Sequence, residues 1–359
     1  MDIALYSALK RLKLENIMPK KVCEIDEGAW HTVYKLEGLK EGDLVLRLKK
    51  KRSYGEILSF DRNELFSEYE STRAYYRHAN ESYLDACPTF YKYFIDEDVV
   101  FTVETFMGTG RDLSILNKTE AFFYGEKLGY IFRKIHSKDT VIDGFGDLYF
   151  NGEHLHGSDQ QTIEALWKED NNNYLKVLNE LNNSFLDFNK DKVTKKIECI
   201  IRLRETEIQR VSFVNQDITP ENIIFNRNQV FIIDPFPRID FDLKYAGFFV
   251  FCYKFLLPSF SNAPRYSKNS YDKNRNILHY IADGYIKGYF HEYSSDAYNA
   301  EVEKLMNEYT LWMLQEAYEH YLVLNTQKIS SKTIQQMGSR RIIEERLVEI
   351  LSELEVLCT

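Results

Sequence analysis

Asp217 and Asn222 share one short polar stretch, Asn215-Gln216-Asp217-Ile218-Thr219-Pro220-Glu221-Asn222, and Asp234 closes the apolar run Val230-Phe231-Ile232-Ile233. The flanking segments Phe213-Val214 and Ile223-Ile224-Phe225 read as short strands. All three polar groups therefore fall on loop ends framed by apolar strands. A carboxylate, an amide and a second carboxylate in that order meet the needs of phosphoryl transfer. The reaction asks for a carboxylate that orients and deprotonates a hydroxyl, and for oxygen ligands to Mg²⁺. Asp217 fits the base; Asn222 and Asp234 fit the metal ligands. The plainer reading is a turn, because Thr219-Pro220-Glu221-Asn222 is good turn chemistry by itself. Asp-x-x-x-x-Asn alone does not choose between the two. The flanking strands and Ile233-Asp234-Pro235 favour the chemistry.

The same stretch resembles the catalytic loop of the aminoglycoside phosphotransferase and choline kinase family, usually His-Gly-Asp-x-x-x-x-Asn followed by Ile-Asp. This chain departs from it, with Asn215-Gln216 where His-Gly is usual, but keeps the Asp and the Asn. The resemblance implies ATP and Mg²⁺ as cofactors and a small-molecule hydroxyl as acceptor. It also implies a two-lobed, protein kinase-like α+β fold. Residues 1–106 would form an N-terminal nucleotide-binding lobe with an antiparallel sheet and one helix. Residues 107–359 would form a mainly helical catalytic and substrate-binding lobe.

The elements that must position these groups can be followed along the chain. Residues 3–17 carry Leu5, Leu9, Leu12 and Leu14 at roughly helical spacing. Three strands follow as a meander: Lys21–Ile25, Thr32–Leu36 and Leu44–Lys49. In a kinase-like fold the first hairpin turn, Asp26-Glu27-Gly28-Ala29-Trp30-His31, covers the ATP phosphates with backbone N–H groups. Gly28 is its phosphate-loop signal, and a plain hairpin is the alternative. Arg47 and Lys49 stand on one face of the third strand. Val45-Leu46-Arg47-Leu48 resembles the family strand whose cation meets the phosphates, which selects Arg47 and leaves Lys49 in reserve. A helix over 63–79 carries Glu68 where the resemblance implies a partner for that cation. The strand Val99–Glu104 exits through Thr105-Phe106-Met107-Gly108, similar to the family hinge. Adenine would then meet the Glu104 C=O and the Phe106 N–H, with Val103 facing the pocket.

Beyond the hinge the pattern turns helical, over 119–136, twice within 159–210, and over 276–291, 299–326 and 331–357. Residues 51–62 read as a mobile connection and 261–275 as a polar surface loop. His136 reads as a structural helix-end residue, and Asp242, in a segment resembling the family Asp-Leu-Ala element, as a structural brace. His154-Leu155-His156 lacks the carboxylate or thiol set of a metal site.

Composition removes several classes of function. A net charge of −9 opposes a general nucleic-acid binder, which needs a basic face. The 5 cysteines are scattered without Cys-x-x-Cys, the pattern of reduced thiols in a cytoplasmic protein. The start Met1-Asp2-Ile3-Ala4 has no signal-peptide pattern, and the apolar stretch Ala246–Tyr253 is too short to span a membrane. Two functions compete. One is an ATP-dependent phosphotransferase acting on an aminoglycoside-like compound, an amino alcohol or a sugar. The other is a kinase-like protein, weakly active or inactive, with a binding or structural role. Few residues separate Asp234 from Asp240-Phe241-Asp242-Leu243, and no Ala-Pro-Glu follows, which disfavours a protein acceptor.

Overall fold

Alternation of apolar residues along the N-terminal strands decides how the first part of the chain folds. In the computed structural model, which describes residues 3–14, 21–28, 30–40, 42–53 and 56–359, it opens with helix α1 (Ile3–Arg11). Strands β1 (Val22–Glu27), β2 (His31–Leu39) and β3 (Gly42–Lys49) follow, then the small pair β4 (Arg52–Ser53) and β5 (Glu56–Ile57). Helix α2 (Arg62–Ser82) leads to β6 (Tyr91–Ile95) and β7 (Val100–Thr105). These strands form an antiparallel sheet in the order β1-β2-β3-β7-β6. Leu44, Leu46 and Leu48 of β3 point to one face, where they pack with Phe101, Val103 and Leu5, Ala8 and Leu9 of α1. The opposite face carries Ile95 and Val100 against Leu65 and Tyr69 of α2. Asp61 starts α2 by accepting the N–H groups of Asn63 and Glu64.

The chain divides into two compact units. The first holds Met1–Gly110, Thr140–Ser158 and Asn215–Arg238; the second holds Arg111–Asp139, Asp159–Val214 and Ile239–Thr359. The first break falls at Gly110, and two later segments join the first unit. One carries the hairpin β8 (Phe145–Phe150) and β9 (Leu155–Asp159), for which the sequence pattern signals no element. The other carries the loop that follows strand β10 (Val211–Asn215), then the hairpin β11 (Ile223–Asn226) and β12 (Gln229–Ile232), and the start of β13 (Pro237–Phe241).

The second unit is mainly helical: α3 (Lys118–Ser137), α4 (Ile163–Asn182), α5 (Lys190–Arg204) and α6 (Asp242–Phe251), with a π turn at Cys252–Leu256 leading into α7 (Leu257–Phe260). Then come α8 (Arg275–Tyr289), α9 (Ser295–Asn325), α10 (Ser331–Met337) and α11 (Arg340–Leu357). The antiparallel sheet and the helical part agree with the α+β expectation. The opening helix expected to 17 is described only to Arg11, with 15–17 outside the described residues. Residues 51–62, read as a connection, hold the β4–β5 pair. The closing helix breaks in two at Gly338, whose φ of 93° no helix accommodates.

Two helices of the second unit cross with their backbones almost touching. A Cβ on Gly129 of α3 would lie 2.1 Å from the Tyr285 carbonyl oxygen, and one on Gly288 of α8 would lie 1.8 Å from that of Glu126. Backbone cannot retreat as a side chain can. Gly129→Ala is therefore expected to cost about 1–3 kcal/mol of stability, read as an earlier urea midpoint. An unchanged midpoint would mean that the two helices separate freely.

Candidate active site

The site is built on the face of β3 that looks away from α1. Arg47 and Lys49 lie on this face, as alternation in a strand requires, and their partners differ. The Arg47 guanidinium meets the Glu104 carboxylate at 3.1 Å and Asp234 Oδ2 at 3.5 Å. Lys49 Nζ lies 3.2 Å from Glu68 Oε2. The cation that Glu68 meets is thus Lys49, while Arg47 holds the turn of Asp234. Burial by itself would lower the Arg47 pKa, but the charges of Asp234 and Glu104 raise it above its ordinary value.

Glu104 enters through its side chain. Its carboxylate is buried, which pushes its pKa up against the opposing pull of Arg47, and it accepts the Tyr76 hydroxyl at 2.9 Å. That hydroxyl in turn accepts the Asp234 N–H at 2.9 Å. Asp234, Tyr76, Glu104 and Arg47 therefore close a ring of hydrogen bonds and ion pairs. The ring holds Asp234 at a φ of 47°, a left-handed conformation that costs a non-glycine residue energy. Tyr76→Phe would leave the Asp234 N–H and one Glu104 oxygen without this partner. We expect a loss of about 1–3 kcal/mol, visible in the urea midpoint. A midpoint equal to that of the unsubstituted protein would remove Tyr76 from the support of Asp234.

The other two groups are tied to the same turn. Asn215, only 2% exposed, accepts the Asp217 N–H at 3.1 Å and the Phe236 N–H at 2.8 Å through its Oδ1, and donates to the Asp217 carbonyl at 3.1 Å. The Gln216 N–H donates to the Phe236 carbonyl at 2.9 Å, and Gln216 needs no positive φ. Asn215-Gln216 thus welds the Asp217 loop to the chain beyond Asp234. At the other end of the loop, the Ile233 N–H donates to the Asn222 carbonyl at 3.0 Å. Burial, and then the charge of Asp234, push the Asp217 carboxyl above its usual range, while a hydrogen bond from Thr219 at 3.1 Å opposes the shift. The Asn222 side-chain amide makes no hydrogen bond among the described residues.

His31 belongs to the same face, because it pairs directly opposite Lys49 in the β2–β3 ladder. Its Nε2 is buried without a hydrogen-bond partner among the described residues. Burial lowers its pKa to about 4, with Lys49, Arg47 and Lys50 pushing the same way and Asp234 opposing. The ring is neutral near pH 7.

Gly28 directly follows β1, in the turn of the first hairpin. Its carbonyl accepts Lys50 Nζ at 2.7 Å, and neither its φ nor the space around it demands a glycine. Ala29, in the same turn, lies outside the described residues. The Phe106 N–H is engaged, donating to the Asp43 carbonyl at 3.0 Å. Val103 does not face this side of the sheet; it is fully buried under α1 among Leu46 and Leu9. His136 is buried, with Nδ1 2.9 Å from the Tyr289 hydroxyl, a structural role. His156 Nδ1 lies 3.2 Å from the Gly157 carbonyl, and no group of three or more His, Cys, Asp or Glu is placed for a metal among the described residues.

The sequence pattern does not single out His31, the Tyr76 hydroxyl, the Glu104 carboxylate or the bridging Asn215 for these contacts. A strand register would find His31 opposite Lys49. The other three come from contacts between segments far apart in the chain.

No protein-family model matches the chain, and no curated protein matches it. Its fold does match solved structures. Aminoglycoside phosphotransferase APH(4)-Ia superposes with a TM-score of 0.54 at 11% identity, covering 96% of this chain and 98% of that one. A thermostable mutant of that enzyme, in a ternary complex with AMP-PNP and hygromycin B, gives 0.52 at 11% identity, with 96% and 98% covered. The Plasmodium vivax ethanolamine kinase gives 0.50 at 10% identity, with 98% and 86% covered. The chain has the protein kinase-like fold of the aminoglycoside phosphotransferase and choline kinase-like family.

Proposed function

We propose that the protein is a Mg²⁺- and ATP-dependent phosphotransferase that phosphorylates a hydroxyl of a small molecule. The observation that carries this reading is the hydrogen-bonded unit joining the Asp217 loop, Asn222 and the Asp234 turn, with Arg47 on Asp234. Asp217 takes the proton of the acceptor hydroxyl as that oxygen bonds to the γ-phosphorus. The bond from the γ-phosphorus to the β-bridging oxygen breaks, and ADP leaves. A carboxylate pushed upward in pKa holds that proton better than an ordinary aspartate.

The residues present fit a divalent cation. The Asp234 side chain is 45% exposed, its charge is felt by Asp217, and the Asn222 amide has no competing hydrogen bond among the described residues. Asp234 and Asn222 would hold Mg²⁺, which prefers few protein ligands beside phosphate oxygens and water. Bound there, it would offset the charge of the phosphates. Arg47 orients Asp234 and the phosphates, Lys49 held by Glu68 supplies a second cation, and the turn at Gly28 and His31 covers them. With the Phe106 N–H taken and Glu104 paired with Val45 in the β3–β7 ladder, contacts to the base fall to main-chain groups beyond β7, including the Phe106 carbonyl. Residues 1–106 would bind nucleotide, and 107–359 would supply catalysis and acceptor binding. One structural neighbour forms a ternary complex with AMP-PNP and hygromycin B, and another is an ethanolamine kinase; both support this class of chemistry.

Arg47→Ala is expected to weaken ATP binding by about ten- to a hundredfold, the loss of charge-assisted bonds; Lys49→Ala should cost less. Calorimetric titration of both variants checks the ranking, and the reverse order would move the phosphate cation to Lys49. The function itself is tested by ADP release across a panel of aminocyclitols, amino alcohols and sugars. Stimulated release with one class supports transfer. A second reading, nucleotide binding without turnover, draws on the engaged Phe106 N–H; tight ATP binding with no stimulated release across the panel would establish it.

A further inference from the structure

Turns that cradle phosphate with their main chain use glycine, because the backbone N–H groups must approach the phosphates closely. The first hairpin turn of this chain, Glu27-Gly28-Ala29-Trp30-His31, has one glycine. Gly28 is not at positive φ, and a Cβ there would meet only the His31 carbonyl oxygen, at 3.6 Å. Its surroundings do not reserve it for a close approach. What the turn does have is an anchor. Lys50, the residue after β3, donates its N–H to the Trp30 carbonyl at 2.8 Å and its Nζ to the Gly28 carbonyl at 2.7 Å. Both bonds tie the turn to the end of β3, and the β2–β3 ladder sets His31 opposite Lys49. Partners across a ladder share a face of the sheet, so His31 stands with Lys49 and Arg47.

His31 Nε2 is buried, and none of the described residues bonds it. The charged groups that act on the ring are Asp234 on one side and Lys49, Arg47 and Lys50 on the other. Two of those cations already face carboxylates, Lys49 that of Glu68 and Arg47 those of Glu104 and Asp234. Asp234 also acts on the Asp217 carboxyl, so the imidazole and the proposed base share one carboxylate as a neighbour. In the reading above the base works at the terminal phosphate, which places that phosphate beside both. A neutral imidazole with its hydrogen on Nε2 is a donor there, and a phosphate oxygen is an acceptor. We propose that His31 Nε2–H donates to the terminal phosphate of the bound nucleotide, supplying from a side chain the contact that a glycine-rich turn makes with its main chain. The proposal rests on the nucleotide-binding reading of this site. It makes His31 the residue by which the site tells a triphosphate from a diphosphate, and it adds a directed bond without another charge to strip of water.

Calorimetric titration of the full chain with AMP-PNP and with ADP, each with Mg²⁺, tests this. His31→Phe keeps a ring and removes both nitrogens. It should bind AMP-PNP about ten- to a hundredfold more weakly, the loss of a hydrogen bond to a charged group. Its ADP affinity should stay within about twofold of that of the unsubstituted protein, which also reports that the variant is folded; should it not fold, His31→Leu takes its place. His31→Gln, whose amide N–H reaches about as far as Nε2, should recover most of the AMP-PNP affinity. A ring that only fills space would give no such rescue. Equal losses for AMP-PNP and ADP, unchanged AMP-PNP affinity in His31→Phe, or a His31→Gln no better than His31→Phe would each overturn the assignment. If the unsubstituted protein binds neither nucleotide, the nucleotide-binding reading falls and the role of His31 with it. If it binds both and releases ADP with an acceptor, while His31→Phe binds AMP-PNP equally well, the role of His31 alone falls.

Discussion

Asp217→Asn is expected to lower kcat by about 10²–10⁴-fold, the range that a positioned general base contributes. ATP affinity should stay within about twofold, because in the proposed mechanism the carboxylate acts on the acceptor hydroxyl and not on the nucleotide. The amide keeps the shape of the side chain and can still accept from Thr219, which now bonds Oδ1. What it loses is the capacity to take a proton. The raised pKa of Asp217 adds a pH signature. Activity requires the deprotonated base, so kcat/KM should fall as the pH drops through that pKa, at a higher pH than for an ordinary aspartate. In Asp217→Asn that acid limb should vanish from the residual rate. Turnover near that of the unsubstituted enzyme would take Asp217 out of the mechanism.

The second large effect belongs to Asp234. Asp234→Asn should lose productive Mg²⁺–ATP affinity and turnover together, because a neutral amide is a weak ligand for a hard dication. The same change removes the charge that faces Arg47 at 3.5 Å and that shifts Asp217, so metal, cation and base all feel it. Asn222→Ala removes the proposed neutral ligand, whose side chain makes no hydrogen bond among the described residues, so its loss should be milder and partly restored by raised Mg²⁺. Titration of Mg²⁺ against nucleotide binding and ADP release in both variants separates them. Equal losses in the two would put Asn222 and Asp234 on the same footing, against this assignment.

Much of this is legible in the residues, for reasons that are local. Asp217, Asn222 and Asp234 stand out as candidates because short apolar strands bracket polar loop ends, and strand period two puts Arg47 and Lys49 on one face. Helices α2 through α5 and α8 follow from apolar spacing and caps such as Asn117, which with Glu120 forms a capping box. What stays hidden depends on contacts across the chain. The Glu104 side chain cannot be read as the partner of Arg47, because the strands that bring them together lie 57 residues apart. Tyr76 looks like another apolar helix position, and its hydroxyl matters only once β7 and the Asp234 turn arrive beside it. Asn215 in place of the usual His looks like a departure; its amide can accept and donate at once, which is what joining two loops requires. The break at Gly338 is masked because periodicity continues across it, and the β8–β9 hairpin because it rests on Gly144, Gly146 and Gly152 at positive φ. Val103 falls on the face opposite to the one expected because β7 is buried on both sides, so alternation of polarity gives no sign.

Everything in this mechanism depends on phosphate moving from ATP to a hydroxyl oxygen of a small molecule by way of Asp217. The decisive experiment supplies ATP labelled in its γ-phosphate, Mg²⁺ and the acceptor class that stimulates ADP release, and follows the label. The label should appear in an organic phosphate ester, in amounts equal to the ADP formed, and Asp217→Asn should form almost none. Label found in inorganic phosphate or on the protein itself, or an ester formed equally well by Asp217→Asn, would contradict the mechanism.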